Sequence, residues 1–191
     1  MKIRKGDAGY ICSHKRKTLI KTIVQFGLVI ALLVLGIMQT GSRMNLLTVV
    51  AILGCLPASK SLVALIMILP HHSIAKEQVI EIEQNSKNLT RAFDLVFTSE
   101  KKIMPVECIV ISDNTICGYS SNPKVNINAT AAHIKKYLDM NKFTKASVKI
   151  FDSYKAFVKR AEDMNVIAIG NTDEVQKKEM MMRQVILNIS L

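Results

Sequence analysis

The sequence predicts an N-terminal transmembrane α-hairpin followed by a cytosolic α/β domain whose mixed sheet is flanked by helices. Three observations carry that prediction. Two apolar runs near the N-terminus are each long enough to cross a bilayer, positive charge gathers beside them, and beyond residue 70 short strand-like runs alternate with amphipathic helical ones. The chain has 191 residues, 49 % of them hydrophobic and 21 % charged, with a formal net charge of +11. That length excludes a two-domain dinucleotide enzyme, a large barrel or a long solenoid. Residues 1–70 hold nine Lys/Arg against one acid, whereas residues 71–191 hold seventeen against fourteen. A nucleic-acid-binding domain would carry its excess charge on the folded part. Here the excess flanks the apolar runs, which argues for a membrane address and against a nucleic-acid partner.

The first segment, residues 1–21, is a basic leader with Lys2, Arg4, Lys5, Lys15, Arg16, Lys17 and Lys21 against Asp7 alone. Cations beside a membrane span are drawn to anionic lipid headgroups and resist translocation. The hairpin proper spans residues 22–70. Its first helix, residues 22–39, reads TIVQFGLVIALLVLGIMQ without a charge and would extend about 27 Å. The run is longer than a signal-peptide core, and MQTGSRMN offers no small-x-small cleavage site, so a retained helix is expected. Its second helix, residues 46–70, would extend about 37 Å and cross with tilt.

Pro57 and Lys60 interrupt that second run. Pro57 cannot donate to the carbonyl of Leu53, so a kink is expected. A Lys at the centre of a span costs about 2.5–3.5 kcal/mol. Three roles for Lys60 stay open: snorkelling to a headgroup, bonding a carbonyl freed at the kink, or lining an ion path, the last without an acidic partner in either span. The connection TGSRMN carries only Arg43. The leader outweighs it, so both termini are expected in the cytoplasm and the turn outside.

Residues 71–191 form the expected cytosolic α/β domain. Residues 73–86 suit a helix capped by Ser73, with Ala75, Val79 and Ile82 on one face. Strands are expected at residues 93–98, 106–112 and 115–119, the last two joined by an Asp113-Asn114 type I′ turn. That turn sets Val110 opposite Cys117 and Cys108 opposite Tyr119, all on one face. A helix near residues 129–141, a strand at 147–151 and a helix capped at Asp152 or Ser153 follow. Tyr154, Phe157, Val158, Ala161 and Met164 give that helix its stripe. A short strand at 166–169 and a final helix at 173–187 close the domain, although VILNISL could instead add an edge strand. The order α-β-β-β-α-β-α-β-α gives a mixed sheet between helices.

Complete catalytic motifs are lacking. There is no Gly-rich phosphate loop, Walker motif, zincin motif or nucleophile elbow, and the sequence names no cofactor and no metal site. Cys108 and Cys117 read as buried thiols. Neighbouring His71 and His72 would point about 100° apart on a helix and read as polar residues at the membrane exit. His133 falls off its helix's apolar stripe and is expected to be solvated.

Three strands after a helix, then a helix and a strand, resemble the restriction-endonuclease-like order. The run VECIVIS-DN-TICGY in particular resembles the nuclease-related NERD domain, in which an acid on one strand is followed, after a turn, by E-x-K on the next. That chemistry brings two carboxylates and a Lys to a divalent metal. Residue by residue, the resemblance puts Glu107 at the acid; an active nuclease would in addition need Asp94 or Glu81 nearby as a migrated second carboxylate. It puts Ser120 and Asn122 where the family has Glu and Lys, and so implies a nuclease-like fold without the catalytic set. The N-terminal part, KGDAGYI with NLLTVVAILGCLPASKS, resembles an uncharacterised family of bacterial two-helix membrane proteins, some labelled O-linked GlcNAc transferase-like. That resemblance implies the bacterial cytoplasmic membrane, but 115 residues leave no room for a nucleotide-sugar domain.

The expected function is a membrane-anchored, non-enzymatic module that binds or localises a protein partner at the cytoplasmic face. Anionic lipid headgroups would be its other partner, and a homo-oligomer is compatible with the hairpin. The alternatives are a membrane-bound, metal-dependent nuclease or nucleic-acid binder, and an accessory subunit of a transporter or channel.

Overall fold

In the computed structural model, which describes residues 3–41, 45–99 and 102–190, the chain divides into two compact units. One is Ile11–His72; the other is Met1–Tyr10 together with Ser73–Leu191.

The first unit is a pair of helices, α1 (Tyr10–Thr40) and α2 (Leu46–Ile68). Both have the length and composition to cross a membrane, and of the most apolar eighteen residues in each only 17 % and 22 % are buried. Core helices of a soluble domain bury their apolar face, whereas these two expose Val24, Leu28, Leu56 and Ile66. Helix α1 starts well ahead of the charge-free stretch, so Lys15, Arg16, Lys17 and Lys21 are helical. Lys is a good helix former, and an aqueous turn of basic helix costs nothing special. Helix α2 begins on Asn45, whose Oδ1 accepts the Thr48 N–H at 2.8 Å. It runs through Pro57 without losing its helical assignment. At its far end the Lys15 ammonium donates to the Leu69 carbonyl at 2.6 Å, which satisfies an acceptor that a helix C-terminus leaves open.

The two helices meet antiparallel along a seam of seven-residue period. On α2 the buried positions are Ala51, Ala58, Ser61, Leu65 and Ile68; on α1, Thr22, Val29 and Gly36 are buried seven apart. Small residues bring the backbones close: a Cβ on Gly54 would lie 3.1 Å from Val29, and one on Gly36 would lie 3.0 Å from the Leu47 Cβ. Those two contacts fix the register. Continued along the pair, it sets Lys60 level with the turn holding Lys21 and Thr22. Lys60 is central in its own apolar run but stands at the basic end of its partner's. Lys2 and Arg43 lie outside the described residues.

The second unit contains α3 (Lys76–Asn85), β1 (Thr90–Ser99), β2 (Lys102–Ser112), β3 (Thr115–Tyr119), α4 (Ile127–Met140), β4 (Ser147–Phe151), α5 (Tyr154–Ile167) and α6 (Asp173–Ile189). The sheet is mixed, in order β1-β2-β3-β4, antiparallel except for the parallel pair β3 and β4. Helices α4 and α6 supply Ile134, Leu138, Met182 and Ile186 to the core on one face. Helices α3 and α5 supply Ile82, Phe157, Ala161 and Met164 on the other. With both faces covered, β2 buries Cys108, Ile109, Val110 and Ile111 in succession. That is why VECIVIS reads as a run rather than an alternation. Pro105 sits where β2 pairs with β1 alone, an edge that needs no donor there.

The register agrees with expectation at Val110↔Cys117 and Cys108↔Tyr119, and all four side chains lie on the α3/α5 face. Cys108 and Cys117 are free buried thiols. Four local expectations are corrected. The turn is not type I′, because Asp113 has φ +46° while Asn114 has no positive φ and a type I′ turn needs both. Ser73 does not cap α3: the Ile74 N–H bonds the Asp94 carboxylate at 3.2 Å, which holds that segment extended until Ala75. No strand forms at 166–169. Helix α5 runs to Ile167 and a 3-10 turn, Ala168–Gly170, follows; the single residue between Met164 and Val166 gives the chain no room to reverse. His133 is half-buried, its ring 5.0 Å from Tyr137 and 6.5 Å from Phe97; burial, then Lys136, lowers its pKa. At the C-terminus α6 takes most of VILNISL, and one bridge, Phe97↔Ser190, follows it.

Candidate functional site

The β1–β2 ladder changes character at one place. Ala92 and Leu95 face the α4/α6 core while Phe93 faces the other, so the alternation of β1 slips at Asp94. Strand β2 slips across from it: Val106 faces α4/α6 and Cys108 faces α3/α5. Pairs Phe93↔Cys108 and Leu95↔Val106 bracket the break. Asp94 absorbs it with φ +55°, a conformation that Asp tolerates better than most side chains. Two carboxylates, Asp94 and Glu107, thus mark one irregularity in the sheet.

Neither is arranged as a metal ligand would be. Asp94 is 2 % exposed, and its carboxylate accepts the Ile74 N–H. Glu107 accepts the Ser121 hydroxyl. Glu81 is taken by the Tyr154 hydroxyl at 2.7 Å. Burial and that carboxylate push the Tyr154 pKa up, and Tyr119, 5.4 Å away edge-on, is raised by burial and by Glu107. Cys108 is raised strongly by burial, so its thiol is inert. At the positions where the NERD pattern has Glu and Lys, Ser120 donates to the Pro105 carbonyl at 2.7 Å, and Asn122 accepts the Lys124 N–H at 3.0 Å. Both line a cleft of about 260 Å³ with Asp152, and Glu107 does not. The structure therefore brings Ser120 and Asn122 to one cleft, and Glu107 meets that cleft through the Ser121 hydroxyl that lines it. Among the described residues no three His, Cys, Asp or Glu side chains are grouped as a metal would need. The donor set fits a divalent ion poorly: Ser120 and Asn122 are neutral, and Asp152 is the one carboxylate that lines their cleft.

The seven leader cations separate. Lys5 donates to the Ser190 carbonyl at 2.6 Å within the α/β unit, and burial lowers its pKa. Arg4 is exposed there, its backbone N–H bonded to Asp7 at 2.7 Å. Lys15 caps α2, and Arg16 is exposed. Lys17 and Lys21 line a cleft of about 480 Å³ in the helix pair, together with Lys60 and Pro57. Lys60 has no hydrogen-bond or ion-pair partner among the described residues, so it does not bond a carbonyl freed by Pro57.

Two residues escaped the sequence reading. Gln25 sits inside the charge-free run, yet its side-chain oxygen is buried and unpaired; polarity within an apolar stretch was the available signal. Glu179 is 1 % exposed in α6 and accepts from the Asp113 N–H and the Thr90 hydroxyl, each at 2.8 Å. Nothing in the local pattern separates it from the exposed charges around it. No protein-family model matches the chain, and neither a curated protein nor a solved structure matches it.

Proposed function

We propose that this chain is a membrane-anchored, non-enzymatic α/β module that binds or localises a protein partner at the cytoplasmic face of a bacterial cytoplasmic membrane. The observation that carries the reading is the helix pair. Two helices of spanning length bury a narrow seam, with Ala51, Ala58 and Ser61 beside Leu65 and Ile68 on α2, and leave most of their other Leu, Ile and Val residues exposed. In water such a surface would drive aggregation; in hydrocarbon it is the ordinary exterior of a helix pair. Basic residues at one end of α1 support cytoplasmic termini. The α-β-β-β-α-β order with β4 parallel to β3 supports a restriction-endonuclease-like body. Ser120 and Asn122, occupied with backbone groups, support a body whose hydrolytic set is gone.

Fractionation tests the reading directly. The full chain should stay in the membrane pellet after an alkaline carbonate wash and dissolve only in detergent. Protease added outside spheroplasts should leave the α/β body intact, whereas protease added to inverted vesicles should remove it. A chain released by carbonate, or a body cut from outside, overturns the proposal.

A further inference from the structure

The cationic cleft of the helix pair has a composition that asks for a ligand. Lys17 and Lys21 from α1 and Lys60 from α2 line one cavity of about 480 Å³. Residues 8–76 contain no Asp or Glu, so this unit holds no carboxylate to neutralise them. Like charges sharing a cleft repel, and an arrangement of this kind is stabilised by a bound anion. The same cleft is lined by Gln25, whose buried side-chain oxygen has no hydrogen-bond partner, and by the buried Ser61. An unpaired buried acceptor asks for a donor. The complement is therefore an anion that also carries a donor group.

Depth narrows the choice. The charge-free run of α1 begins at Thr22, one residue past Lys21, and the helix register brings Lys60 to that level. In a bilayer the apolar run ends where hydrocarbon gives way to headgroups. We propose that this cleft is a binding site for the headgroup of an anionic glycerophospholipid, its phosphodiester held by Lys17, Lys21 and Lys60 and a headgroup hydroxyl donating to Gln25. Lys60 then belongs to a lipid site and not to an ion path. Basic pockets between membrane helices on the cytoplasmic side bind anionic headgroups in this way. The proposal rests on the reading of the helix pair as membrane-spanning, and its test separates the two.

The full chain is reconstituted in nanodiscs of phosphatidylcholine with a minor fraction of phosphatidylglycerol, and the phosphatidylglycerol retained on the released protein is read by native mass spectrometry. Retention above the bulk fraction is expected, falling about fivefold in K60Q and in K21Q, the worth of one cation near a membrane surface. K60R should keep it. R16Q removes the same charge outside the cleft and should leave retention unchanged. Equal loss in R16Q reduces the effect to diffuse attraction and overturns the site. Displacement of the lipid by excess inorganic phosphate assigns the cleft to a soluble phosphate and overturns the lipid. Maleimide labelling of Cys55 in the same discs reports insertion. Cys55 protected without preferential retention overturns this proposal alone. Cys55 labelled as fast as Cys12 overturns the membrane reading, and this site with it.

Discussion

Three donors converge on one buried carboxylate at Glu179: the Asp113 N–H at 2.8 Å, the Thr90 hydroxyl at 2.8 Å and an Asn171 amide N–H at 3.1 Å. They tie α6 to the β2–β3 turn, to the start of β1 and to its own N-terminal approach. Glu179→Ala would leave three part-buried donors without their acceptor and should cost about 2 kcal/mol. Glu179→Gln keeps one acceptor and should cost less, the two being compared by thermal melts of the detergent-solubilised chain. A smaller loss in Ala than in Gln would remove Glu179 from that role. Next to it, Lys178 bonds Asp113 at 2.9 Å. That hydrogen bond is the main reason the Asp113 pKa lies below the usual carboxylate range. A depressed carboxylate contributes stability above its unfolded value of about 3.9 and loses it as pH falls through the folded value. Both side chains are more than a third exposed, so solvent limits the contribution to about 0.5 kcal/mol. Lys178→Ala should therefore lower stability slightly at neutral pH, and the gap from the parent chain should close below about pH 4. A gap that persists in acid would mean that Lys178 acts through packing.

Among the elements, those legible in the sequence are the ones with a strong local period or a bounded turn. The α5 stripe from Tyr154 to Met164, the hairpin register at Cys108 and Cys117, and both long apolar helices follow from spacing alone. What spacing could not give was anything set by a partner element. Lys60 is central when measured along its own run, and its depth emerges only once Gly54 meets Val29 and Gly36 meets Leu47. Glu107 and Asp94 are placed by a slip shared between two strands, which neither strand shows by itself. Apolar Val166–Ile169 has strand composition but no room to turn. Gly118 is another such case. A Cβ there would lie 2.7 Å from Ile150 Cδ1, with Ile109 Cγ1 at 3.2 Å and Val106 Cγ1 at 3.3 Å. The Ile150 tip can rotate, whereas two branched neighbours in a packed sheet yield less. Gly118→Ala should cost about 1–2 kcal/mol and Gly118→Val more, read as a fall in denaturation midpoint at unchanged slope. If the alanine variant matches the parent chain, the β3 face is not close-packed.

The whole chain carries four thiols in three different surroundings, and together they test the architecture without an introduced probe. Cys12 is exposed on the basic end of α1, and Cys55 is exposed on the apolar surface of α2. Cys108 and Cys117 are buried in the α/β body, where burial raises both thiol pKa values, partly offset at Cys117 by Arg160. The thiolate is the nucleophile that adds to the maleimide, so accessibility and ionisation act in the same direction at each site. In inverted membrane vesicles a charged maleimide should label Cys12 within minutes, because its helix turn lies among lysines in water. It should leave Cys55 untouched if α2 spans the bilayer as proposed, since hydrocarbon excludes both the reagent and the thiolate. Detergent should not by itself release Cys108 and Cys117, which should react only after denaturant opens the sheet. In intact cells the same reagent should label none of the four, because the proposed orientation turns the basic end of α1 inward. Labelling of Cys12 from outside would invert the hairpin, and rapid labelling of Cys108 in the native state would dissolve the packed body behind it. Cys12, Cys55 and the Cys108/Cys117 pair thus report on three separate assignments: orientation, insertion and the integrity of the sheet.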